Sequence, residues 1–231
     1  MNIIVIGGTR GIGKEIVIRM AKDKDNQILV AGRNEEALRS LVAGSSYGNI
    51  SSVEIDLSVF ESHLESFKDQ VYDRFSKIDI LINNAGAITV KEFMKITSLE
   101  ARMMMETNFF GPASVIRVLK PLLSKGSHIV NISSMGGYQG SSKYIGLSYY
   151  SASKAALACL SECLAAEFIE SGIIVNCLAL GSVQTEMLDK AFPGYKAPVN
   201  AKEMGEFIAD FAVKGNRFFN GKILPVAVNN P

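Results

Sequence analysis

The sequence predicts an α/β fold in which about seven parallel strands form a doubly wound sheet with helices on both faces. Short β-branched segments alternate along the chain with segments whose apolar residues have helical spacing. The 231 residues are 48% hydrophobic, which is enough for one substantial core and short for two ordinary domains. We therefore expect one domain over residues 1–231.

Seven strands and six helices are predicted, and they follow one another in alternation. The predicted strands are residues 2–6, 27–31, 51–55, 78–83, 128–133, 173–179 and 221–228. The predicted helices are residues 14–21, 35–42, 60–75, 99–124, 150–171 and 201–213. Right-handed crossovers between such strands produce a parallel sheet, whose ligands bind beyond the carboxyl ends of the strands.

The charge balance excludes several classes of partner. The chain has 24 Lys and Arg and 23 Asp and Glu, a net charge of +1. It therefore lacks the excess of positive charge that binding to nucleic acid or an anionic membrane would require. No apolar stretch approaches the roughly 20 residues that span a bilayer. The first apolar run is short and ends at glycines, unlike a signal peptide, so we expect a cytoplasmic protein with a small-molecule partner.

Metal chemistry has no support in the cysteine and histidine positions. Cys159, Cys163 and Cys177 match no zinc signature, and we interpret them as buried structural thiols. His63 and His128 have no partners at metal or triad spacing. We expect no bound metal.

A glycine-rich loop joins the first strand to the first helix. Gly7 permits a tight turn, Gly11 lets backbone amides approach a pyrophosphate, and Gly13 lets the helix and strand pack closely. An anion would lie at the helix N-terminus. The plainer alternative is a flexible turn, but the strand before it and the helix after it favour a dinucleotide site. The residues expected to contact the cofactor here are Gly7, Thr9, Arg10, Gly11, Ile12 and Gly13.

The end of the second strand indicates which dinucleotide binds. An acidic residue there would bind both ribose hydroxyls of NAD, but the sequence has Gly32, Arg33 and Asn34. The Arg33 guanidinium can make paired bonds to a 2′-phosphate, and Arg10 adds a second positive charge. NADP(H) is therefore predicted over NAD(H), the alternative being that Arg33 is a solvated surface residue.

Tyr150 and Lys154 are the candidates for proton transfer. Their spacing of four places them on one face of a predicted helix. A neighbouring ammonium favours the phenolate and lowers the pKa of the phenol toward the working range. The plainer alternative is a packed phenol beside a solvated amine. Ser134 at the end of the predicted fifth strand favours the catalytic interpretation, because it brings a hydroxyl to the same end of the sheet.

Together these motifs resemble the short-chain dehydrogenase/reductase family, and the likeness runs from residue 2 to about residue 187. It includes the glycine loop, Asp56 after the third strand, the Asn83 to Gly86 motif after the fourth, Asn108, Ser134, Tyr150 and Lys154. The resemblance implies a Rossmann-type fold and hydride transfer between NADP(H) and a carbonyl or alcohol carbon.

The resemblance also implies a role for each matching residue. Tyr150 would exchange the proton of the substrate oxygen, and Ser134 would hold that oxygen. Lys154 would lower the pKa of Tyr150 and bind the nicotinamide ribose, and Asn108 would hold a relay water. The remaining implied cofactor contacts are Asp56 and Leu57 at the adenine, Asn84, Ala85 and Gly86 at the adenosine, and Val183 and Thr185 at the carboxamide.

Two further points follow from the resemblance. A homo-oligomer, dimer or tetramer, would use the predicted helices 99–124 and 150–171. For Asn84 to Gly86 the alternative is a turn that merely stabilises the sheet, and in the family this segment serves both purposes.

The sequence departs from the family pattern around the substrate pocket. Ser134 lies 16 residues before Tyr150, a longer interval than usual, so another serine of residues 135–149 is an alternative hydroxyl donor. Tyr149 adjoins Tyr150, but only Tyr150 is four residues before the lysine. Leu180 replaces a usual proline, the lid segment 187–200 is short, and residues 225–231 replace an acidic, glycine-rich ending.

The sequence thus predicts an NADP(H)-dependent oxidoreductase that interconverts a carbonyl and an alcohol on a small organic substrate. A non-catalytic NADP(H)-binding sensor is the alternative, and the set Asn108, Ser134, Tyr150 and Lys154 argues against it. A sugar-nucleotide epimerase or dehydratase would need a larger C-terminal substrate domain, for which the chain has no room.

Overall fold

The computed structural model describes residues 1–228, and its centre is a parallel sheet of seven strands in the order β3-β2-β1-β4-β5-β6-β9. These strands are β1 Asn2–Ile6, β2 Gln27–Gly32, β3 Ile50–Glu54, β4 Ile78–Asn83, β5 Leu123–Ser134, β6 Ile174–Leu180 and β9 Ile223–Val226. Two short strands, β7 Val183–Gln184 and β8 Val199–Asn200, form a separate two-stranded sheet. The strand order reverses between β1 and β4, which opens a crevice at their carboxyl ends. The predicted fold class is confirmed.

Two helical layers cover the sheet. The helices are α1 Gly11–Ala21, α2 Glu35–Ala43, α3 Leu64–Arg74, α4 Ser98–Met105, α5 Gly111–Leu119, α6 Ser148–Glu167, α7 Glu186–Ala191 and α8 Ala201–Lys214. Helices α1, α2 and α8 pack in one apolar core with Ile3 and Val5 of β1. Helices α3, α5 and α6 pack in the other with Ile4 and Ile6. The two-sided burial explains why β1 is an uninterrupted apolar run.

The predicted helix 99–124 is wrong as one continuous helix. After α4 the chain makes one π-helical turn, Glu106–Phe110, before α5, and a 3-10 turn, Lys120–Leu122, follows α5. Pro112 has no N–H to donate to the carbonyl four residues earlier. The Gly111 N–H donates to the Glu106 carbonyl, which lies five residues earlier, whereas an α-helix would place the acceptor four residues earlier. Residues 123 and 124, predicted as helix, belong to β5.

Other boundaries also differ from prediction. The first part of predicted helix 60–75 is a 3-10 turn, Leu57–Ser62, because Asp56 accepts a hydrogen bond from Ser58 N and caps it. Helix α6 ends at Glu167 rather than residue 171, and residues 168–172 turn toward β6 with Gly172 at a φ of +66°. The last strand is shorter than the predicted 221–228. None of the described helices is long and apolar enough to cross a membrane.

The interpretation of all three cysteines as buried is wrong for two of them. Cys177 is buried on β6, but Cys159 and Cys163 are exposed. They lie one turn apart on α6 and so share its outward face.

Candidate active site

The glycine loop is a tight turn that holds β1 and α1 close together. Gly7 has a φ of +81°, and its N–H donates to the Ala31 carbonyl on β2 at 2.7 Å. A Cβ on Gly13 would lie 2.0 Å from the Gly7 carbonyl oxygen, so only glycine allows α1 to begin so near the turn. Gly13 therefore serves the packing role predicted for it.

The start of α1 fits a phosphate. Arg10 is its N-cap residue and, within the described part of the chain, makes no side-chain bond to the first-turn amides. These amides and the helix dipole favour an anion. Gly11 has a φ of +51°, and a Cβ there would meet Thr185 Cγ2 at 3.4 Å, which places the chain after β6 against the loop.

A cavity of about 1130 Å³ lies beyond the carboxyl ends of the strands. It brings together most of the predicted site residues, namely Gly7, Thr9, Arg10, Gly11, Ile12, Arg33, Asp56, Leu57, Asn84, Ala85, Gly86, Ser134, Tyr150, Lys154, Val183 and Thr185. Gly13, Asn34 and Asn108 lie outside its lining. These three instead hold neighbouring elements in place.

The charged groups at the end of β2 and β3 interact with one another. Burial raises the pKa of Asp56, but hydrogen bonds from Ser58 and the charge of Arg33 outweigh it, so that this pKa lies below its usual value. Asn34 caps α2, its side-chain oxygen accepting from Ala37 N at 2.8 Å. That oxygen is therefore engaged in the helix cap.

The two arginines predicted to bind a 2′-phosphate differ in their partners. Arg10 forms an ion pair with Glu186 of α7 at 3.6 Å. Among the described residues Arg33 has no carboxylate within ion-pair distance, and its side chain is exposed on the cavity. Arg33 thus interacts with a carboxylate, Asp56, only at longer range, whereas the charge of Arg10 is partly neutralised by a direct ion pair.

The segment after β4 both braces the glycine loop and lines the cavity. Asn84 Nδ2 donates to the Gly7 carbonyl at 2.8 Å, and the backbone N–H groups of Asn84 and Ala85 donate to the Ile6 carbonyl. A Cβ on Gly7 would clash with Ala85 Cα at 2.6 Å. The stabilising alternative for Asn84 to Gly86 therefore describes part of what the segment does.

Ser134 and Tyr150 face the same cavity from different elements. Ser134 ends β5, and Tyr150 lies in the first turn of α6. Burial raises the pKa of Tyr150, and a hydrogen-bonding interaction with Ser134 acts in the opposite direction. The net direction is upward, opposite to the lowering expected from Lys154.

Lys154 lines the cavity but is almost fully buried. It is 3% exposed, and its Nζ donates to the Ile132 carbonyl at 2.8 Å. Burial lowers the pKa of Lys154 to about 8. A Cβ on Gly86 would lie 3.4 Å from Nζ, so a glycine at this position lets the segment after β4 pass close to the ammonium.

Tyr149 and the loop serines differ in position from Tyr150 and Ser134. Tyr149 stacks on Phe93 with ring centroids 5.8 Å apart and does not line the cavity. Ser141 donates to the Tyr138 carbonyl at 2.9 Å, within its own loop. Of the serines at 134–149, only Ser134 lines the cavity among the described residues.

Asn108 lies fully buried in the π-helical turn. Its Oδ1 accepts from Ala87 N at 2.7 Å, and its Nδ2 donates to the Ala87 carbonyl and to Ser153 Oγ, each at 2.9 Å. The side chain thus ties the segment after β4 to α6. Its Oδ1 would be 3.6 Å from a Cβ on Gly86, the same position that lies 3.4 Å from Lys154 Nζ.

Several contributors were not anticipated from the sequence. Ser133 Oγ donates to the Lys154 carbonyl at 2.8 Å and secures α6 to β5, and the Ser133-Ser134 pair was its only signal. In segment 187–200, α7 and the two-residue strand β8 Val199–Asn200 were missed. Strand β8 pairs with β7 Val183–Gln184, and Thr185 caps α7 by accepting from Leu188 N at 3.2 Å.

This fold and cavity define a dinucleotide-binding α/β protein. The family model for short chain dehydrogenase matches residues 1–196, and the chain belongs to the short-chain dehydrogenase/reductase family. Its relatives in that family are oxidoreductases, so the chain belongs to the oxidoreductase class of enzymes.

Named proteins similar to the chain come from several sources. It is 31% identical to 3-oxoacyl-(acyl-carrier-protein) reductase FabG of Aquifex aeolicus, covering 80% of this chain and 74% of the relative. It is 29% identical to L-fucose dehydrogenase of Mus musculus, covering 81% and 67%. A short chain dehydrogenase from Burkholderia cenocepacia, solved in complex with NADP, has a TM-score of 0.85 at 26% identity, covering 97% and 95%.

Proposed function

We propose that this protein is an NADP(H)-dependent oxidoreductase that interconverts a carbonyl and an alcohol on a small organic substrate, with Tyr150 as general acid and base. One observation carries the proposal: Ser134, Tyr150 and Lys154 line the same cavity as the glycine loop at the start of α1. A proton-exchanging group thereby lies beside a phosphate-binding helix terminus.

The residues at the cofactor half of the cavity support NADP(H). The α1 amides would hold the pyrophosphate, and the exposed guanidinium of Arg33 would bind a 2′-phosphate. The Burkholderia structure similar to this chain contains NADP. When bound, the nicotinamide supplies or accepts the hydride.

The chain's own residues handle the proton. In reduction the Tyr150 hydroxyl donates its proton to the carbonyl oxygen as hydride adds to the carbonyl carbon, and in oxidation both transfers reverse. Ser134 orients the substrate oxygen by a hydrogen bond. The Lys154 ammonium uses one N–H for Ile132, and its charge stabilises the phenolate left by proton donation.

A non-catalytic NADP(H) sensor is the second candidate, and one observation favours it. Burial raises the pKa of Tyr150 above its usual value, which opposes formation of the phenolate. The two candidates differ in whether Tyr150 is needed for turnover.

The replacement Tyr150→Phe tests the proposal. We expect turnover of a carbonyl panel, followed by NADPH absorbance, to fall by on the order of 10²-fold or more, with NADPH binding retained, because only the proton donor is lost. Tyr149→Phe is the matched control, since Tyr149 stacks on Phe93 outside the cavity. Undiminished turnover in Tyr150→Phe would assign the proton transfer to another group, and NADPH binding without turnover of any carbonyl by the wild type would favour the sensor.

The remaining expectations stay predictions. They are a homo-oligomer, dimer or tetramer, a cytoplasmic location, and the absence of nucleic-acid and membrane partners.

A further inference from the structure

The strand order divides the cavity into two halves. Residues that follow β1, β2 and β3 line the half containing the glycine loop and Arg33. The segment that follows β6 borders both halves, because Thr185 lies against Gly11 and Glu186 pairs with Arg10, and residues that follow β4 and β5 line the half containing Tyr150. We call the latter the substrate half and define it by Ile88, Tyr144, Leu147, Met187, Phe192 and Tyr195.

The substrate half offers no available cation. The charged residues in the described cavity lining are Arg10, Arg33, Asp56, Lys154 and Glu186. The first three follow β1, β2 and β3 and belong to the cofactor half. Lys154 is buried and bound to a backbone carbonyl, and Glu186 is paired with Arg10 at 3.6 Å. A carboxylate or phosphate on the substrate would therefore lose water without gaining a partner of opposite charge.

Apolar and aromatic side chains form the walls near the reacting group. Leu147 precedes Tyr150 by one turn and is fixed there by the Ser151 N–H, which donates to its carbonyl at 2.8 Å. Tyr144 is 52% exposed, a large side chain that a bound molecule would cover.

Two of the polar groups in this half are paired with each other. Tyr195 and Ser182 share a hydrogen bond between their hydroxyl oxygens at 3.0 Å, which ties the segment after α7 to the end of β6. A sugar would need a partner for each of its hydroxyls, whereas the walls defined above are mainly hydrocarbon and aromatic ring.

Resting on the function proposed above, we propose that the substrate is an uncharged carbonyl compound with an apolar body, rather than a carboxylate, a phosphate or a polyhydroxylated sugar. Its carbonyl would contact Ser134 and Tyr150, and its body would pack against the apolar walls. This chemistry differs from the sugar named for the mouse relative.

The test compares two ketones, ethyl benzoylformate and the benzoylformate anion, which share the benzoyl carbonyl and differ in an uncharged ethyl ester against a carboxylate. With NADPH as reductant we expect kcat/KM for the ester to exceed that for the anion by about tenfold or more, because the anion carboxylate would be buried unpaired. Equal or better use of the anion overturns the proposal.

A cation introduced into the substrate half tests whether the missing positive charge causes the preference for the ester. Met187→Lys is expected to reduce the preference for the ester, since the new ammonium can pair with the carboxylate, whereas Met187→Leu keeps the wild-type preference. Preference unchanged by the lysine would contradict the assignment of Met187 to the substrate half.

Binding separates this proposal from the proposed reaction. Saturation-transfer NMR on the protein with NADP⁺ measures ester and anion binding without turnover. Preferential binding of the ester supports the substrate class even if no carbonyl is reduced, in which case only the proposed reaction fails. Preferential binding of the anion, or binding of neither compound, overturns the substrate class.

Discussion

At the scale of single residues, the cofactor preference depends on which guanidinium is available. Arg10 and Arg33 both line the cavity, but Arg10 shares its charge with Glu186 at 3.6 Å. Arg33 interacts with Asp56 only at longer range, where its charge contributes to lowering the pKa of that carboxyl group. Arg33 is therefore the stronger candidate for the 2′-phosphate.

Replacement of Arg33 tests this assignment. We expect Arg33→Ala to weaken NADPH binding by about tenfold to a hundredfold and to leave NADH binding nearly unchanged, because a charge-assisted pair is lost only with the phosphorylated ribose. Fluorescence titration with both nucleotides measures the effect. Arg39→Ala is a control, since Arg39 is an exposed residue of α2 paired with Glu35 and lies outside the cavity. An equal loss for NADPH and NADH would remove the 2′-phosphate role.

At the scale of elements, two asparagines that were both predicted to serve the site hold helices in place. Asn108 bonds Ala87 and Ser153 from the π-helical turn, and Asn34 caps α2. Removing Asn108 deletes hydrogen bonds to the buried Ser153 hydroxyl and to the partly buried backbone of Ala87, whereas the bond lost by removing Asn34 is exposed to water. Replacing each asparagine by alanine should therefore lower the free energy of unfolding by unequal amounts.

The expected costs follow from burial. We expect Asn108→Ala to lower the free energy of unfolding by about 2–4 kcal/mol, because three hydrogen bonds to buried or partly buried groups are lost. For Asn34→Ala we expect about 1 kcal/mol, the usual cost of losing a helix cap. Urea denaturation of both variants measures the two values. Equal losses would show that the buried contacts of Asn108 contribute no more than an exposed cap.

The sequence predicted the elements better than it predicted their interruptions. Alternation of apolar residues and glycine positions was sufficient for the seven strands of the sheet and for the loop before α1. The break between α4 and α5 depends on Pro112 and on a backbone bond shifted by one residue, neither of which changes the apolar spacing. Strands β7 and β8 have two residues each, too few for a periodic pattern.

The site was predictable to the extent that strand ends determine where residues converge. Most predicted residues line one cavity because the carboxyl ends of parallel strands meet at one edge of the sheet. Side-chain partners were not predictable in this way. The bond from Lys154 to the Ile132 carbonyl and the ion pair of Arg10 with Glu186 depend on tertiary positions that residue spacing does not encode.

At the scale of the whole molecule, the sheet contains a buried titratable side chain toward the amino ends of its strands, away from the cavity at their carboxyl ends. His128 is fully buried in β5, its Nδ1 lying 2.8 Å from the Ala212 carbonyl and its Nε2 3.0 Å from Asn176 Nδ2. The carbonyl requires a proton on Nδ1, so Nε2 must be the acceptor. Asn176 cannot reverse its amide without loss, because its Oδ1 already accepts from Lys222 N at 3.1 Å.

Acid should therefore destabilise the protein through His128. Burial lowers the pKa of His128 to about 4 from 6.5, and a bond with the Ala212 carbonyl only partly opposes this. Between these pH values the unfolded chain binds a proton that the native protein does not, so stability is full above pH 6.5 and declines toward pH 4, by about 3 kcal/mol at most.

The two histidines of the chain allow a matched test of this loss. Urea denaturation at intervals from pH 7.5 to 5 should show falling stability in the wild type and in His63→Gln, but a much smaller decline in His128→Gln, whatever the absolute stability of that variant. The window stops at pH 5 because most carboxylates titrate below it. A wild-type slope retained in His128→Gln would place the acid sensitivity on other groups and contradict a neutral His128 in the native sheet.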